Sequence, residues 1–298
     1  MISHVMQTRA PLSHGMQTRA PLSHVLVGET TATCTALVVH GILGSARNWL
    51  SFIRRHEART PGWRYVLVDL RNHGDSHDVS APHTLTACAD DLHHLSVHLG
   101  LSFDAVIGHS FGGKVVLEYL RRHATAATHT AFVLDSNPGV VNPLDVMGDP
   151  HEVIGVVSAL RTFTRPIASR VELTDGLRAL GFSEAMGGWM TTNLRPLPSG
   201  GFDFKFNLDA VEQMLASYFS TDSFDVLASS GDGRRVYMIL GGKSDRVRED
   251  DRRRLEALSP RVSVHVLPEA GHWVHVDDPE GLSSFIAAKL MAPRGSQA

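Results

Sequence analysis

The chain has 298 residues, of which 43% are apolar and 20% charged, so it can bury a sizeable core and is not disordered throughout. Its 28 Lys and Arg against 31 Asp and Glu give a net charge of -3, without the basic excess that nucleic-acid or anionic-membrane binding requires. No apolar run approaches the roughly 18 residues of a membrane span, and the two cysteines, Cys34 and Cys88, lack the spacing of a disulfide framework or zinc site. We therefore expect a small-molecule partner.

The N-terminal segment contains a duplication, because MQTRAPLSH at 6–14 recurs at 16–24. Two short copies that contain proline cannot form a repeat array, so we predict a mobile tail over residues 1–28. Removal of residues 1–24 is expected to change stability little. The segment also has no acidic residue before Glu29, which weakly resembles an organelle transit segment. The predicted location is therefore the cytoplasm or an organelle, either mitochondrion or plastid.

After the tail, short apolar runs alternate with helical patterns, as in a mostly parallel sheet covered by helices on both faces. The predicted strands are 36–40, 65–69, 103–108, 131–135, 236–240 and 262–267. The interval 138–225 breaks this alternation, is too long for a simple connection and carries helical periodicity. We predict that it is an inserted helical cap, interrupted by a turn-rich break at 196–201, and that 29–137 and 226–298 form the core.

Gly108-His109-Ser110-Phe111-Gly112 stands directly after one predicted strand and before a helix, which is the context of a nucleophile elbow. An exposed nucleophile needs a strained turn, and glycine two residues to either side avoids collision with that turn. Ser110 is therefore the predicted nucleophile.

The base and the acid of a triad are predicted from loops that follow later strands, where an open α/β sheet gathers its catalytic groups. His272 in Gly271-His272-Trp273 is the predicted base, and its neighbours His265 and His275 are rivals. Asp245 is favoured as the acid because it follows a strand as Gly-x-x-Asp. Asp135 also ends a strand and is the alternative acid.

An oxyanion hole requires two backbone N–H groups that point to one place. Phe111, directly after the nucleophile, is expected to supply one of them, and Ile42 in the His40-Gly41-Ile42 loop the other. His40 is predicted to orient this loop rather than to act as a base.

Together, His40-Gly41, the segment DLRNHGDS at 69–76, GHSFGGK at 108–114 and Gly271-His272-Trp273 resemble the α/β-hydrolase superfamily. Arg-Asn-His-Gly, the lysine after the elbow and the closing Gly-His-Trp-Val-His are similar to YbfF-type esterases and to the abhydrolase-domain proteins of subgroup eleven. The resemblance implies an eight-stranded, mostly parallel sheet, a helical cap after the sixth strand, and hydrolysis of carboxylic esters or thioesters without a cofactor. It also implies that Asp69 and Asp75 hold a hydrogen-bonded loop.

The sequence therefore predicts a serine hydrolase of small to medium acyl esters or thioesters that forms an acyl-enzyme, with no cofactor and no metal. His94 and His98 are four residues apart on a helix but lack an accompanying carboxylate in HExxH register, so an exposed face is expected there. The alternative is a ligand receptor on the same fold with slow or single turnover. Four aromatic residues of the cap are candidates for the pocket lining: Trp189, Phe202, Phe204 and Phe206. The oligomeric state is not predicted.

Overall fold

A computed structural model describes residues 21–142, 153–230 and 233–292. A seven-stranded sheet runs through the middle of this part of the chain, and a short two-stranded sheet lies apart from it. The strands are β1 (His24–Val27), β2 (Cys34–Val39), β3 (Trp63–Val68), β4 (Ala105–His109), β5 (Thr130–Leu134), β6 (Leu194–Pro196), β7 (Phe202–Phe204), β8 (Arg235–Gly241) and β9 (Val262–Leu267).

The main sheet has the order β1-β3-β2-β4-β5-β8-β9, and every pair in it is parallel except β1 with β3. All six predicted strands are present, each within a few residues of its predicted bounds. The described residues contain seven strands of this sheet rather than the eight that the resemblance implies, and the long excursion follows β5, the fifth strand.

Helices cover both faces of the sheet, because successive strand residues point to opposite sides. In β2, for example, Leu37 and Val39 enter one apolar cluster, while Ala36 and Val38 enter the other. The helices are α1 (Ala46–His56), α2 (Leu85–Leu99), α3 (Phe111–His123), α4 (Val153–Arg161), α5 (Arg170–Ala179), α6 (Glu184–Thr192), α7 (Leu208–Ser220), α8 (Phe224–Ala228), α9 (Glu249–Glu256), α10 (Val274–Asp277) and α11 (Pro279–Leu290). None of the helices in this part of the chain is long and apolar enough to cross a bilayer.

The predicted tail is wrong for its last residues, which belong to the folded body. Leu22 is buried in the core, and the N–H of Ser23 donates to the hydroxyl of Ser76 at 2.8 Å. The carbonyl of Ser23 accepts from the N–H of Asp69 at 2.9 Å, and β1 then pairs along β3. Three of its four residues, Val25 to Val27, are apolar and were the only candidate strand before residue 36, but the sequence analysis left them within the tail. Residues 1–20 lie outside the described residues.

This arrangement changes the expected result of N-terminal truncation. We predict that deletion of residues 1–24 lowers the free energy of unfolding by about 3 kcal/mol, because it removes the buried Leu22 side chain and both Ser23 hydrogen bonds. Deletion of residues 1–20, which leaves Leu22 and the two Ser23 hydrogen bonds in place, is expected to cost less than about 1 kcal/mol. Urea denaturation of the two truncated proteins measures the difference. Equal midpoints would show that the contacts of residues 22 and 23 do not stabilise the body.

The predicted cap contains α4 to α7 together with β6 and β7, and residues 143–152 of it lie outside the described residues. Its apolar side chains form a cluster of their own, into which α7 contributes Val211, Leu215 and Phe219. The opposite face of α7 contributes Ala210 and Met214 to the cluster on the sheet. The predicted break at 196–201 is the turn of a β6–β7 hairpin, which the sequence analysis did not foresee. The cap thus lies over the carboxyl end of β5.

Candidate active site

Ser110 occupies a sharp turn between β4 and α3, with a φ of 53° and a ψ of −120°. A residue other than glycine rarely adopts a positive φ, and such strain is typical of functional sites. A Cβ atom at Gly108 would overlap the backbone of Gly112, and one at Gly112 would lie 2.5 Å from the carbonyl oxygen of His40. The predicted elbow geometry is present, and Ser110 faces a cleft.

His272 lies in the loop after β9 and meets the carboxylate of Asp135. Its Nδ1 is 2.7 Å from Oδ2 of Asp135, whose side chain is fully buried. The same carboxylate accepts from the N–H of Gly241 at 3.0 Å and from the hydroxyl of Ser244 at 2.5 Å. These donors hold the carboxylate in place, so that it can accept a hydrogen bond from Nδ1–H of His272 and leave Nε2 available as a base.

The prediction that Asp245 contacts this histidine is wrong. The Asp245 side chain is 90% exposed and lies 3.9 Å from the guanidinium of Arg246. The preceding residue, Ser244, turns toward the site and donates to Asp135. The loop after β8 therefore contributes a hydroxyl to the site, and the carboxylate comes from the end of the neighbouring strand β5. Sequence analysis had Asp135 as the alternative acid and did not identify Ser244.

The two rival histidines have other surroundings. His265 lies on β9 and stacks on Phe285, with ring centroids 4.0 Å apart. His275 also faces the cleft, where it stacks on Trp49 at 4.1 Å. Burial and, as the smaller cause, the neighbouring His272 together lower the pKa of His275 to about 4. Among the described residues, His272 is the one of these three histidines that contacts a carboxylate.

His109, which sequence analysis did not single out, forms a hydrogen bond with the backbone of the predicted base, His272. Its Nε2–H donates to the carbonyl of His272 at 2.8 Å, and the two rings are 4.8 Å apart. Burial holds the pKa of His109 well below its usual value, so the ring is neutral. The residue before the nucleophile thus fixes the backbone of the loop that carries His272.

The loop from His40 to Gly44 runs alongside the elbow, since a Cβ at Gly41 would lie 3.3 Å from the Cβ of Ser110. His40 donates from Nδ1 to the carbonyl of Gly41 at 2.7 Å and accepts at Nε2 from the N–H of Leu70 at 3.0 Å. A backbone N–H can only donate, so Nε2 carries no proton. Burial lowers the pKa of His40 to about 4, which agrees with a neutral ring that orients the loop.

A second neutral histidine supports the same loop. His73 accepts at Nε2 from the N–H of Leu43 at 3.1 Å and donates from Nδ1 to the carbonyl of Arg71 at 2.9 Å. Burial lowers the pKa of His73 to about 3. Ile42 stands between the supported residues and lines the cleft with Phe111, the first residue of α3. The predicted donors of the oxyanion hole thus border the same space as Ser110.

The segment 69–76 is a hydrogen-bonded loop, as the resemblance implies. Asp69 accepts from the N–H of Ala46 at 2.7 Å and from the N–H of Asp75 at 2.9 Å. Arg71 forms a buried ion pair with Asp91, with nitrogen–oxygen distances of 2.8 and 3.0 Å. The carboxylates of Asp69 and Asp91 therefore anchor this loop, and neither lines the cleft. Asp75 takes part through its backbone N–H, whereas its side chain is exposed.

The cleft has a volume of about 600 Å³ and lies between the carboxyl end of the sheet and the cap. One wall carries the polar groups described above, and the cap supplies an apolar wall. The lining side chains from α4, α6 and α7 are Val153, Val156, Met186, Trp189, Leu215, Tyr218 and Phe219. Trp189 meets Trp273 of the loop after His272, with ring centroids 5.1 Å apart. A cleft of this size and lining suits a small organic ligand.

Of the four predicted aromatic residues, Trp189 lines this cleft and the other three do not. Phe204 and Phe206 stack on each other at 5.0 Å and are buried within the cap. Phe202 is half-buried and packs beside Arg170. Burial inside the cap therefore accounts for this part of the aromatic pattern.

A polar group that the sequence analysis missed faces the same cleft. Asn137 is 2% exposed, and its side-chain nitrogen has no hydrogen-bond partner within the described ranges. Its side-chain oxygen accepts from the N–H of Gly139 at 3.4 Å.

No group of three or more metal-ligating side chains lies together in the described part of the chain, and His94 and His98 are exposed on α2.

Comparison with known proteins agrees with this geometry. The model of the alpha/beta hydrolase family matches residues 36–285, which include the elbow, Asp135 and His272. The chain belongs to the alpha/beta hydrolase family. This hydrolase is 31% identical over 265 residues to the sn-1-specific diacylglycerol lipase ABHD11 of Mus musculus, covering 86% of this chain and 82% of that protein.

A second relative of this hydrolase is a putative esterase/lipase of Haemophilus influenzae, 26% identical over 85% of this chain and 82% of the relative. Among solved structures, a marine microorganism esterase superimposes with a TM-score of 0.77 at 23% identity, covering 90% of this chain and 98% of that one. The resemblance to abhydrolase-domain proteins is confirmed, and so are the fold and the class of carboxylic ester hydrolase.

Proposed function

We propose that this hydrolase cleaves carboxylic esters or thioesters of small to medium acyl groups through an acyl-enzyme, with Ser110 as nucleophile, His272 as base and Asp135 as acid. The observation that carries the proposal is the buried Asp135 carboxylate, 2.7 Å from Nδ1 of His272, at the edge of the cleft that Ser110 also lines. This constellation is the arrangement by which a serine hydroxyl is activated.

In the first half of the reaction, Oγ of Ser110 attacks the carbonyl carbon while Nε2 of His272 takes the hydroxyl proton. The backbone N–H groups of Ile42 and Phe111 stabilise the negative charge that develops on the carbonyl oxygen. His272 then returns the proton to the leaving alcohol or thiol, and the acyl group stays on Ser110. Asp135 stabilises the imidazolium in between.

In the second half, water enters in place of the alcohol or thiol. His272 removes one proton from it, and the resulting hydroxide attacks the acyl carbon. The serine oxygen leaves, takes the proton from His272 and restores the free enzyme, while the product departs as a carboxylic acid. The neutral rings of His40 and His73 keep charge out of the oxyanion loop throughout this cycle.

The apolar cap wall supports an acyl chain as the group bound there, because burial of methylene groups favours binding in proportion to the apolar area removed from water. The relative named as a diacylglycerol lipase supports inclusion of a neutral acylglycerol among the candidates. Activity toward p-nitrophenyl esters from acetate to palmitate, together with a diacylglycerol, reports the preferred chain length.

The test combines this series with labelling by a fluorophosphonate, which reacts with activated serines. We expect steady turnover with an optimum at short to medium chains, and labelling that is lost in Ser110→Ala. A burst equal to the enzyme concentration, followed by a stable acyl-enzyme, would instead favour the ligand receptor. Absence of both turnover and labelling would overturn the serine-hydrolase proposal.

A further inference from the structure

Lys114, in the first turn of α3, is fully buried, and its ammonium donates to backbone carbonyls. The three acceptors are the carbonyl oxygens of Gly139 at 2.7 Å, Tyr218 at 2.6 Å and Thr221 at 2.8 Å. An ammonium has three N–H donors, so each of them has a partner here. Burial of a charged ammonium costs free energy unless hydrogen bonds compensate for the lost water, so its presence here points to a specific role.

The three carbonyls belong to both connections between the sheet and the cap. Gly139 lies where the chain leaves β5, and Tyr218 and Thr221 lie where α7 ends and the chain returns. Two backbone bonds also join these connections directly. The N–H of Ser223 donates to the carbonyl of Pro138 and that of Val141 to the carbonyl of Phe219, both at 2.9 Å. The two connections, residues 138–142 and 218–224, together form the hinge of the cap. Lys114 therefore ties this hinge to α3, the helix that follows the nucleophile.

The end of α7 suits a cation in two ways. The last carbonyls of a helix carry partial negative charge and lack intrahelical partners. In addition, the ammonium lies 4.2 Å from the centre of the Tyr218 ring, which adds a cation–π contact. Burial lowers the pKa of Lys114 to about 7, and the attractive charges of Asp222 and Asp251 oppose this shift. The three carbonyl acceptors match the three N–H donors of the charged form.

The residues held by this hinge form part of the cleft wall. Val141, Tyr218 and Phe219 all line the cleft, and the Tyr218 ring lies 5.9 Å from the ring of Phe111. A movement of the hinge would therefore displace the apolar wall relative to Ser110 without a change in any group of the triad.

We propose that Lys114 is a positioning residue that locks both connections of the cap to the nucleophile helix and so sets the acyl-binding wall of the cleft. This inference rests on the proposed function, because the wall is assigned to the acyl chain of an ester substrate. A long acyl chain reaches the wall, whereas an acetyl group needs only the elbow and the oxyanion loop. Lys114 thus determines chain-length selectivity rather than the chemical step.

The experiment compares Lys114→Met with wild type on p-nitrophenyl acetate and octanoate. We expect KM for octanoate to rise about tenfold or more and kcat for acetate to stay within about threefold, because the wall moves and the triad does not. Hydrogen exchange should quicken in 138–142 and 218–224 but not in α11. Lys289→Met, a change of the same kind in α11, is the matched control and should leave all three readouts unchanged.

Lys114→Gln, which keeps two N–H donors without the charge, should give an intermediate KM for octanoate and serves if the Met variant does not fold. Equal losses on both esters, or an unchanged octanoate KM with unchanged exchange at the hinge, would overturn the proposal. Failure of both variants to fold would overturn it as well, since Lys114 would then determine the fold. If wild type cleaves neither ester, the proposed function fails, and hydrogen exchange still tests the hinge.

Discussion

Replacement of Ser110 by alanine is expected to lower kcat for p-nitrophenyl butyrate by a factor of about 10³ or more, as in other triads that lose the nucleophile. The hydroxyl is the atom that forms the acyl bond, and water positioned in its place is a far weaker nucleophile. The cleft, the oxyanion loop and the His272–Asp135 pair all remain, so substrate binding should persist.

The fold should survive this substitution because the strain at position 110 belongs to the backbone and is the same for serine and alanine. The melting temperature, measured beside that of Ser102→Ala at an exposed loop position, checks this expectation. Residual activity within tenfold of wild type in a folded Ser110→Ala protein would mean that the nucleophile is another residue.

The elbow could be predicted from sequence because its geometry depends on residues close together in the chain. Gly108 and Gly112 are required by the turn itself, and the apolar strand before Ser110 and the helix after it are both local patterns. The alternation of strands and helices was likewise readable, so the parallel sheet and the position of the cap insertion followed from it.

The partner of His272 could not be decided in that way, because it depends on which strands become neighbours. β5 and β8 pair in parallel, with Leu134 opposite Ile239, so the ends of both strands open beside the same histidine. Asp135 then has a φ of 44°, which no sequence pattern indicated, and its carboxylate is buried. In the loop after β8, the side chain that turns toward the site is that of Ser244, one residue before the predicted acid, Asp245.

The hinge around Lys114 could also not be predicted from the sequence, although the lysine itself was visible. The lysine after the elbow was visible as a motif, but the carbonyls that it binds come from residues about 25 and 105 positions further along the chain. Backbone acceptors carry no sequence signature. Only the folded arrangement of α3 against the two cap connections assigns this side chain a partner.

The identity of the acid gives the second large expected effect. We predict that Asp135→Asn lowers kcat by about 10³ to 10⁴, the range seen when a triad loses its orienting charge. An asparagine nitrogen at this position would donate to Nδ1 of His272 and so favour the tautomer with the proton on Nε2. That tautomer cannot accept the proton of Ser110, even though the side chain has the same shape.

The same substitution at Asp245 provides the matched control for this prediction. The Asp245 side chain is 90% exposed and forms no hydrogen bond or ion pair with His272 in the described part of the chain, so Asp245→Asn should leave kcat within about threefold of wild type. Both variants are measured on p-nitrophenyl butyrate, with circular dichroism to establish that each is folded. If Asp245→Asn causes the large loss and Asp135→Asn does not, the acid is Asp245, and the contact between His272 and Asp135 has a structural role only.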